Sequence, residues 1–284
     1  MSARDRVGLG WRPELAAGIV ANLDRIDVVE VIADDYFDAG RRALRALRTL
    51  TRQVPVVLHG VGLGLASAAP VETRRLERLA RVVEAVEPEA WSEHLAFVRG
   101  GGVEIGHLAA PPRNAVTVEG AALNLERVRR VVGSLPLLEN VATLIDPPGT
   151  DRDEPTWITD VLAASGAGLL LDLHNLHANA LNFGFHAQDA LGRLPVERIG
   201  MIHVAGGRWI GPPGRRLLLD DHLHAVPDAV YALLESLAER ARLPLTVILE
   251  RDGEYPAMAA LLDELDRARR ALAAGRARWA SAAA

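Results

Sequence analysis

Two residue types are absent from this 284-residue chain: it has no cysteine and no lysine, so all 32 of its basic residues are arginine. Without cysteine there are no disulfides, iron–sulfur clusters, thiolate zinc sites or cysteine nucleophiles. Without lysine there is no Schiff-base amine, hence no PLP chemistry, and no P-loop lysine. No apolar run approaches the roughly 20 residues that span a bilayer. The start, Met1-Ser-Ala-Arg-Asp-Arg6, leads into Val7-Gly-Leu-Gly-Trp11 without the apolar stretch of a signal peptide, so the cytoplasm is the expected compartment. There is no excess of positive charge either; the net charge of −5 argues against a nucleic-acid binder. Chemistry is left to His, Asp, Glu, Arg, hydroxyls, backbone or a bound metal.

What is present is ample apolar material, 49% of residues, enough to fill a sizeable core. It is organised as short apolar strands alternating with amphipathic helices. Strands are predicted at 7–11, 28–33, 54–58, 90–98, 135–138, 168–173, 199–204 and 245–249. Several are nearly continuous Val, Ile and Leu runs, as in strands buried on both faces of a parallel sheet. Helical patterns fall at 14–24, 41–52, 72–87, 119–132, 156–164, 186–194, 228–241 and 256–274. Gly100-Gly-Gly102 reads as a tight turn within extra, hairpin-like sequence in the fourth unit. Eight strand–helix units in one chain predict a closed (β/α)8 TIM barrel of the α/β class. A doubly wound sheet is the rival, but Gly8-Leu-Gly10 is followed by Trp-Arg-Pro and not by the rest of a dinucleotide fingerprint. With no linker or low-complexity block, the expectation is one domain over 1–284, fraying at 275–284.

The residues that end the strands are the informative ones. Strand three ends in Leu-His59-Gly, strand four contains Ser-Glu-His94, and strand five ends in Leu-Glu139-Asn140. Strand six runs into Asp172-Leu-His174-Asn175, strand seven ends in Ile-His203, and strand eight in Leu-Glu250-Arg-Asp252. The steps from His59 through His94, Glu139, Asp172 and His203 to Glu250 are 35, 45, 33, 31 and 47 residues, about one βα unit each. Equivalent positions at the C-terminal mouth of a barrel are where such enzymes build their sites. Singly, a strand-end histidine is more often a hydrogen-bonded structural residue, and a strand-end acid a helix cap. Together, several carboxylates in one mouth repel and desolvate one another unless a cation relieves them. Imidazoles interleaved with carboxylates suit first-row divalent metals. Beyond strand seven, Asp220 and His222 form a D-x-H pair whose side chains share a side in extended chain, and Asn175 offers an amide oxygen. Nine donors are too many for one ion; two or three ions with a bridging carboxylate, Glu139 being the most central, is the expected count.

Taken as a set, Leu58-His-Gly, Ser92-Glu-His94-Leu, Leu138-Glu-Asn140, Leu171-Asp-Leu-His-Asn175, Ile202-His203, Asp220-x-His222 and Leu249-Glu-Arg-Asp252 resemble the multinuclear non-heme iron-dependent oxidases that modify ribosomally made precursor peptides, as in methanobactin and thiaglutamate biosynthesis. The resemblance runs in order from about Val7 to Ala260. It implies a xylose-isomerase-like TIM barrel, two or three iron ions as Fe2+/Fe3+, O2 as co-substrate, and a precursor peptide as substrate, often modified at Cys. It also implies a separate leader-binding partner protein. Carried over residue by residue, His59 and His94 resemble ligands of one iron with Glu139 bridging. Asp172, His203 and Glu250 resemble ligands of a second, and Asn175, Asp220 and His222 those of a third. Asp252 matches an acid placed to move protons.

The chain departs from the family at Asp34-Asp35, where Glu-Asn is usual, along 151–157, and at His174, which replaces a commoner Asn. None of these removes a ligand. His107 and His186 are expected to be solvated or capping, and the arginines 41, 42, 45 and 48 to form an exposed helix face. His177 and His224 lie near the ligands in sequence and are candidates for orienting carboxylates. The loop 206–219, with Arg208, Trp209, Arg215 and Arg216, reads as a solvated loop or as a peptide-gripping lid. Two other functions compete. One is a three-metal hydrolase resembling AP endonuclease IV, which usually has His at the place of Asn175; the other is a peptide-binding scaffold with structural metals.

Overall fold

Apolar strands and the apolar stripes of amphipathic helices must be buried, and the elements are arranged accordingly. In the computed structural model, which describes residues 4–282, the strands are β1 (Arg6–Gly10), β2 (Val29–Ile32), β3 (Val56–Gly60), β4 (Ala90–His94), β5 (Phe97–Gly100), β6 (Val103–Ala109), β7 (Leu137–Glu139), β8 (Gly168–Asp172), β9 (Ile199–Val204), β10 (Gly207–Ile210), β11 (Leu217–Asp220) and β12 (Thr246–Leu249). The helices are α1 (Ala16–Val20), α2 (Arg41–Leu50), α3 (Thr73–Val86), α4 (Ala115–Val132), α5 (Glu154–Ser165), α6 (Leu173–Phe183), α7 (Ala187–Arg193), α8 (Asp228–Arg240) and α9 (Met258–Ala282). Eight strands close into a parallel barrel in the order β1-β12-β9-β8-β7-β4-β3-β2. The expected fold class therefore holds. Among the described residues no helix is long and apolar enough to cross a membrane.

The chain forms two compact units. One comprises Glu30–Val141 and Asp146–Leu170; the other comprises the described residues up to Val29, Ala142–Ile145 and the chain from Leu171 onward. In the Glu30–Val141 unit, β3, β4, β7 and β8 pair side by side, with His59 opposite Ser92 and His94 opposite Glu139. Helix α3 buries Leu76, Leu79, Val82 and Val86, the single apolar stripe of an amphipathic helix. Helix α4 starts at a capping box: the Asn114 side chain accepts from the Thr117 backbone N–H, and the Thr117 hydroxyl accepts from that of Asn114. The predicted strand 90–98 is two strands, because Leu95 and Ala96 turn the chain out of the barrel into the β5–β6 hairpin. Gly101 (φ +56°) and Gly102 (φ +81°) make its turn, as the triple glycine indicated. Asn124 fixes the loop after β3: its Nδ2 donates to the carbonyls of Leu65, Ser67 and Ala69, and its Oδ1 accepts from Val71 N–H.

In the other unit β12 lies between β1 and β9, and Ile248 stands opposite His203. Two expectations need correcting here. The residues after Asp172 do not continue a strand; α6 begins at Leu173, capped by the Asp172 side chain on Asn175 N–H at 2.6 Å. Residues 275–282 are also not an irregular tail but the last turns of α9, which runs to Ala282; the rest of the expected tail, 283–284, lies outside the described residues. Gly275 permits that, because a Cβ there would lie 2.2 Å from the Glu235 carbonyl of α8. Arg276 then reaches Asp5 at 2.8 Å and the Leu243 carbonyl at 2.7 Å.

Candidate metal centre

In the Glu30–Val141 unit, His59, His94 and Glu139 each bring a ligand atom within 4.8 Å of the others. His59 Nδ1 lies 2.8 Å from Ser92 Oγ, whose hydroxyl in turn points at the Leu58 carbonyl, 3.4 Å away. His94 Nδ1 lies 3.2 Å from the Gly60 carbonyl, which only accepts. Both rings are therefore held with a proton on Nδ1, which leaves Nε2 as the ring atom turned inward and available to a metal. Those Nε2 atoms stand 3.4 Å and 3.5 Å from Glu139 Oε2. Two ring nitrogens and a carboxylate oxygen converging this closely need a cation between them, which a metal ion supplies through coordination and a proton through an ion pair. The donor set fits a first-row metal, with Ser92 and Gly60 orienting the ligands.

Two further acids shape this unit. Glu93 is fully buried, and burial, followed by the charge of Asp34, raises its carboxyl well above the usual range against the backbone N–H groups of His94 and Leu63. Its Oε2 would lie 2.5 Å from a Cβ at Gly60, so the Gly after His59 is a packing requirement. Asp34, where the chain departs from the family pattern, accepts from the backbone N–H of Val61 (2.9 Å) and Gly62 (3.0 Å) and staples the turn after β3. Sequence reasoning missed Glu30. It is buried on β2, and its carboxylate lies within 4.8 Å of a His59 ring nitrogen. Its mid-strand position gave no signal, because attention to strand ends passes over it.

In the other unit, Asp172, His203 and Glu250 likewise place ligand atoms within 4.8 Å of one another, all buried. Asp172 commits Oδ1 to the α6 cap, so its role as cap and its candidacy as ligand are compatible. Asn175 is buried one turn into α6. His203 Nδ1 lies 2.9 Å from Glu250 Oε2. His222 sits between acids: Nε2 is 2.9 Å from Asp220 Oδ2 and Nδ1 is 3.0 Å from Asp252 Oδ2, with Glu250 Oε2 at 3.6 Å. Burial disfavours its charge, but the Asp220 and Glu250 carboxylates outweigh that and raise its pKa well above the ordinary value. His222 adopts φ +54°, a left-handed turn that aims the ring back at this cluster. For Asp220, burial is likewise outweighed by His222 and by the hydrogen bond from His174, and its pKa is lowered. Asp252 is also lowered: burial and Glu250 oppose ionisation, while the His222 hydrogen bond and the Arg12 guanidinium favour it.

The remaining histidines sort by geometry. His174 donates Nδ1–H to Asp220 at 2.7 Å and so orients a candidate ligand. His224 lies 3.0 Å from Asp221 Oδ1, an acid that also meets Arg208. His177 is half-buried, and burial followed by the neighbouring His174 lowers its pKa. His107 and His186 are exposed, and Arg48 of the α2 arginine run pairs with Glu87.

The fold and these clusters define a xylose-isomerase-like barrel carrying buried histidine–carboxylate sets able to hold metal. Residues 6–273 match the family described as RiPP precursor modification enzyme MbnB/TglH/ChrH, and the chain belongs to that family. A UPF0276 protein of Bordetella bronchiseptica is 35% identical over 272 residues, covering 95% of this chain and 93% of that protein. Among solved structures, L-ribulose 3-epimerase superposes with a TM-score of 0.62 at 13% identity, covering 99% of this chain and 98% of that one. A xylose isomerase domain containing protein from Salmonella typhimurium gives 0.62 at 14% identity, covering 96% and 99%. At such identities these two establish the barrel alone.

Proposed function

We propose that this protein is an iron-dependent, O2-using oxidase that modifies a residue, preferentially a cysteine, of a ribosomally made precursor peptide. The observation that carries the reading is the pair of buried imidazoles, His59 and His94, each held through Nδ1, whose Nε2 atoms face Glu139 Oε2 at 3.4 and 3.5 Å. Membership of a precursor-modifying family supports a peptide substrate. In this reading His59, His94 and Glu139 hold one ion, and Asp172, His203 and Glu250 a second. Asn175, Asp220 and His222 hold a third, more labile one. The assignment of Glu139 as a bridge rests on the register of strand ends in the sequence. Iron held by these residues would relay electrons from the peptide side chain being oxidised to O2 and offer open positions for O2 and a substrate thiolate.

The chain's own groups have definable tasks. Ser92 and the Gly60 carbonyl keep the two imidazoles in the coordinating tautomer, and His174 holds Asp220. Asp252, kept ionised by His222 and Arg12, accepts a proton from the substrate and releases it toward solvent. With no cysteine of its own, the protein offers no competing thiol to the oxidant. A cytoplasmic setting and a separate leader-binding partner complete the proposal. The test is purification without oxygen, iron determination, and incubation with O2 and a cysteine-bearing peptide encoded beside the gene. Bound iron, O2 uptake and a mass change at the cysteine support the reading. Zinc alone, with no activity after iron reconstitution, refutes it. Cleavage of abasic DNA by the zinc form would favour the hydrolase instead, and leader binding without any product the scaffold.

A further inference from the structure

The loop expected between β9 and α8 is a two-stranded antiparallel hairpin, β10–β11, with Arg208 opposite Leu219 and Trp209 opposite Leu218. Its two outer edges differ. On β11 the edge is closed by a side chain of α6: Asn182 Oδ1 accepts from Leu218 N–H at 2.7 Å, and its Nδ2 donates to the Leu218 carbonyl at 3.0 Å. Since both backbone groups of Leu218 face away from β10, those of its partner Trp209 face away from β11. Among the described residues no strand pairs with that edge of β10. The Trp209 side chain beside it is 51% exposed. Open strand edges are usually blunted by proline, lysine or a covering element. Here the edge carries an exposed tryptophan, while the hairpin tip presents Arg215 and Arg216, both exposed and without an acidic partner among the described residues.

We propose that the outer edge of β10 docks an extended segment of the substrate peptide as a third strand, with acidic residues of that segment on Arg215 and Arg216. This deepens the peptide-modifying reading and rests on it. Backbone hydrogen bonds to Trp209 supply affinity that is indifferent to sequence, stacking on its indole adds apolar contact, and the two arginines select charge. The placement explains why the peptide would dock here. The hairpin follows His203 after three residues, and its base pairs Gly207 with Asp220, which meets His174 and His222. The base is fixed, since a Cβ at Gly207 would lie 2.7 Å from the His174 ring and 2.1 Å from the Leu219 carbonyl. A strand on β10 is thus led from the basic tip toward Asp220 over four residues, about 13 Å. The acidic residues should stand about four to seven positions from the one modified.

The test is binding, independent of iron and O2. A phage-displayed library of dodecapeptides with a central cysteine is selected on the full-length, zinc-loaded protein under nitrogen, and the strongest sequences are synthesised for fluorescence anisotropy. Selected peptides should be acidic on one flank of the cysteine. Trp209→Pro removes the outward N–H and leaves the β10–β11 bonds in place; it should weaken binding by tenfold or more, as should Arg215→Glu with Arg216→Glu. Selection on the double arginine variant should return basic flanks. Alternate N-methylation of the peptide, measured on the unaltered protein, should abolish binding without any risk to folding. Peptides that tolerate N-methylation, bind both variants within about twofold, or cannot be selected at all overturn the proposal. The iron content and O2 uptake of the same preparation report separately on the proposed oxidase.

Discussion

Replacing Ser92 with alanine isolates the orienting shell of one cluster. In the native protein the buried hydroxyl takes the Nδ1–H of His59 at 2.8 Å. Alanine leaves that N–H buried without its acceptor, an expected loss of about 1–3 kcal/mol. Part of this appears as reduced stability and part as reduced metal affinity, because the imidazole is free to rotate or to exchange tautomers. Removing a partner that orients a histidine ligand typically costs about 10–100-fold in affinity, equivalent to about 1.4–2.8 kcal/mol. The assay is anaerobic titration with Fe2+ or Zn2+ against a chromophoric chelator, with melting followed in parallel. The loss should fall on the His59–His94–Glu139 ion and leave the ion at Asp172, His203 and Glu250 within about twofold. Ser92→Thr, which keeps the acceptor, should restore it. Unchanged affinity in Ser92→Ala, or an equal loss at both clusters, would refute the tautomer argument.

Asp252→Asn should keep its metal and lose turnover by about 10²–10⁴-fold, compared by iron content against peptide mass conversion; loss of the metal instead would make Asp252 a ligand. Asn124→Ala abandons four backbone groups of the 65–71 loop and should cost about 2–4 kcal/mol in denaturant unfolding, with Asn124→Asp costing at least as much, because a carboxylate oxygen would replace the amide donor facing three carbonyls. The Tyr231 phenol is raised above its ordinary 10.0 by burial and then by Glu264, against Arg267 and Arg251. Folding therefore favours the neutral form, so this contribution is present below about pH 10 and declines above it, when the unfolded phenol ionises. Tyr231→Phe should flatten that decline in melts followed across alkaline pH.

The strands were legible because a barrel strand is buried on both faces: Val56-Val57-Leu58 and Leu169-Leu170-Leu171 read as unbroken apolar runs, and both are buried throughout. Their chemical ends were legible for the same reason, since a polar residue closing such a run must face the site or lose its solvation uncompensated. Helix α6 was hidden because Asp172 is at once the last strand residue and the cap, with no turn residues between. The β10–β11 hairpin was hidden behind Gly211-Pro-Pro-Gly214, which reads as loop. The parts played by Ser92, Asn124 and Asn182 depend on partners 33 to 59 residues away. No local pattern encodes such pairings.

The junction at Asp172 has a consequence for how this chain can vary in length. Elsewhere a βα connection absorbs an extra residue by bulging outward. Between β8 and α6 there is no slack: an insertion would turn the helix by about 100° about its axis. That rotation would swing His174 off Asp220, Asn175 off its cap and Asn182 off the edge of β11 together. Insertions and deletions among relatives are therefore expected in the other connections, with this one held at constant length.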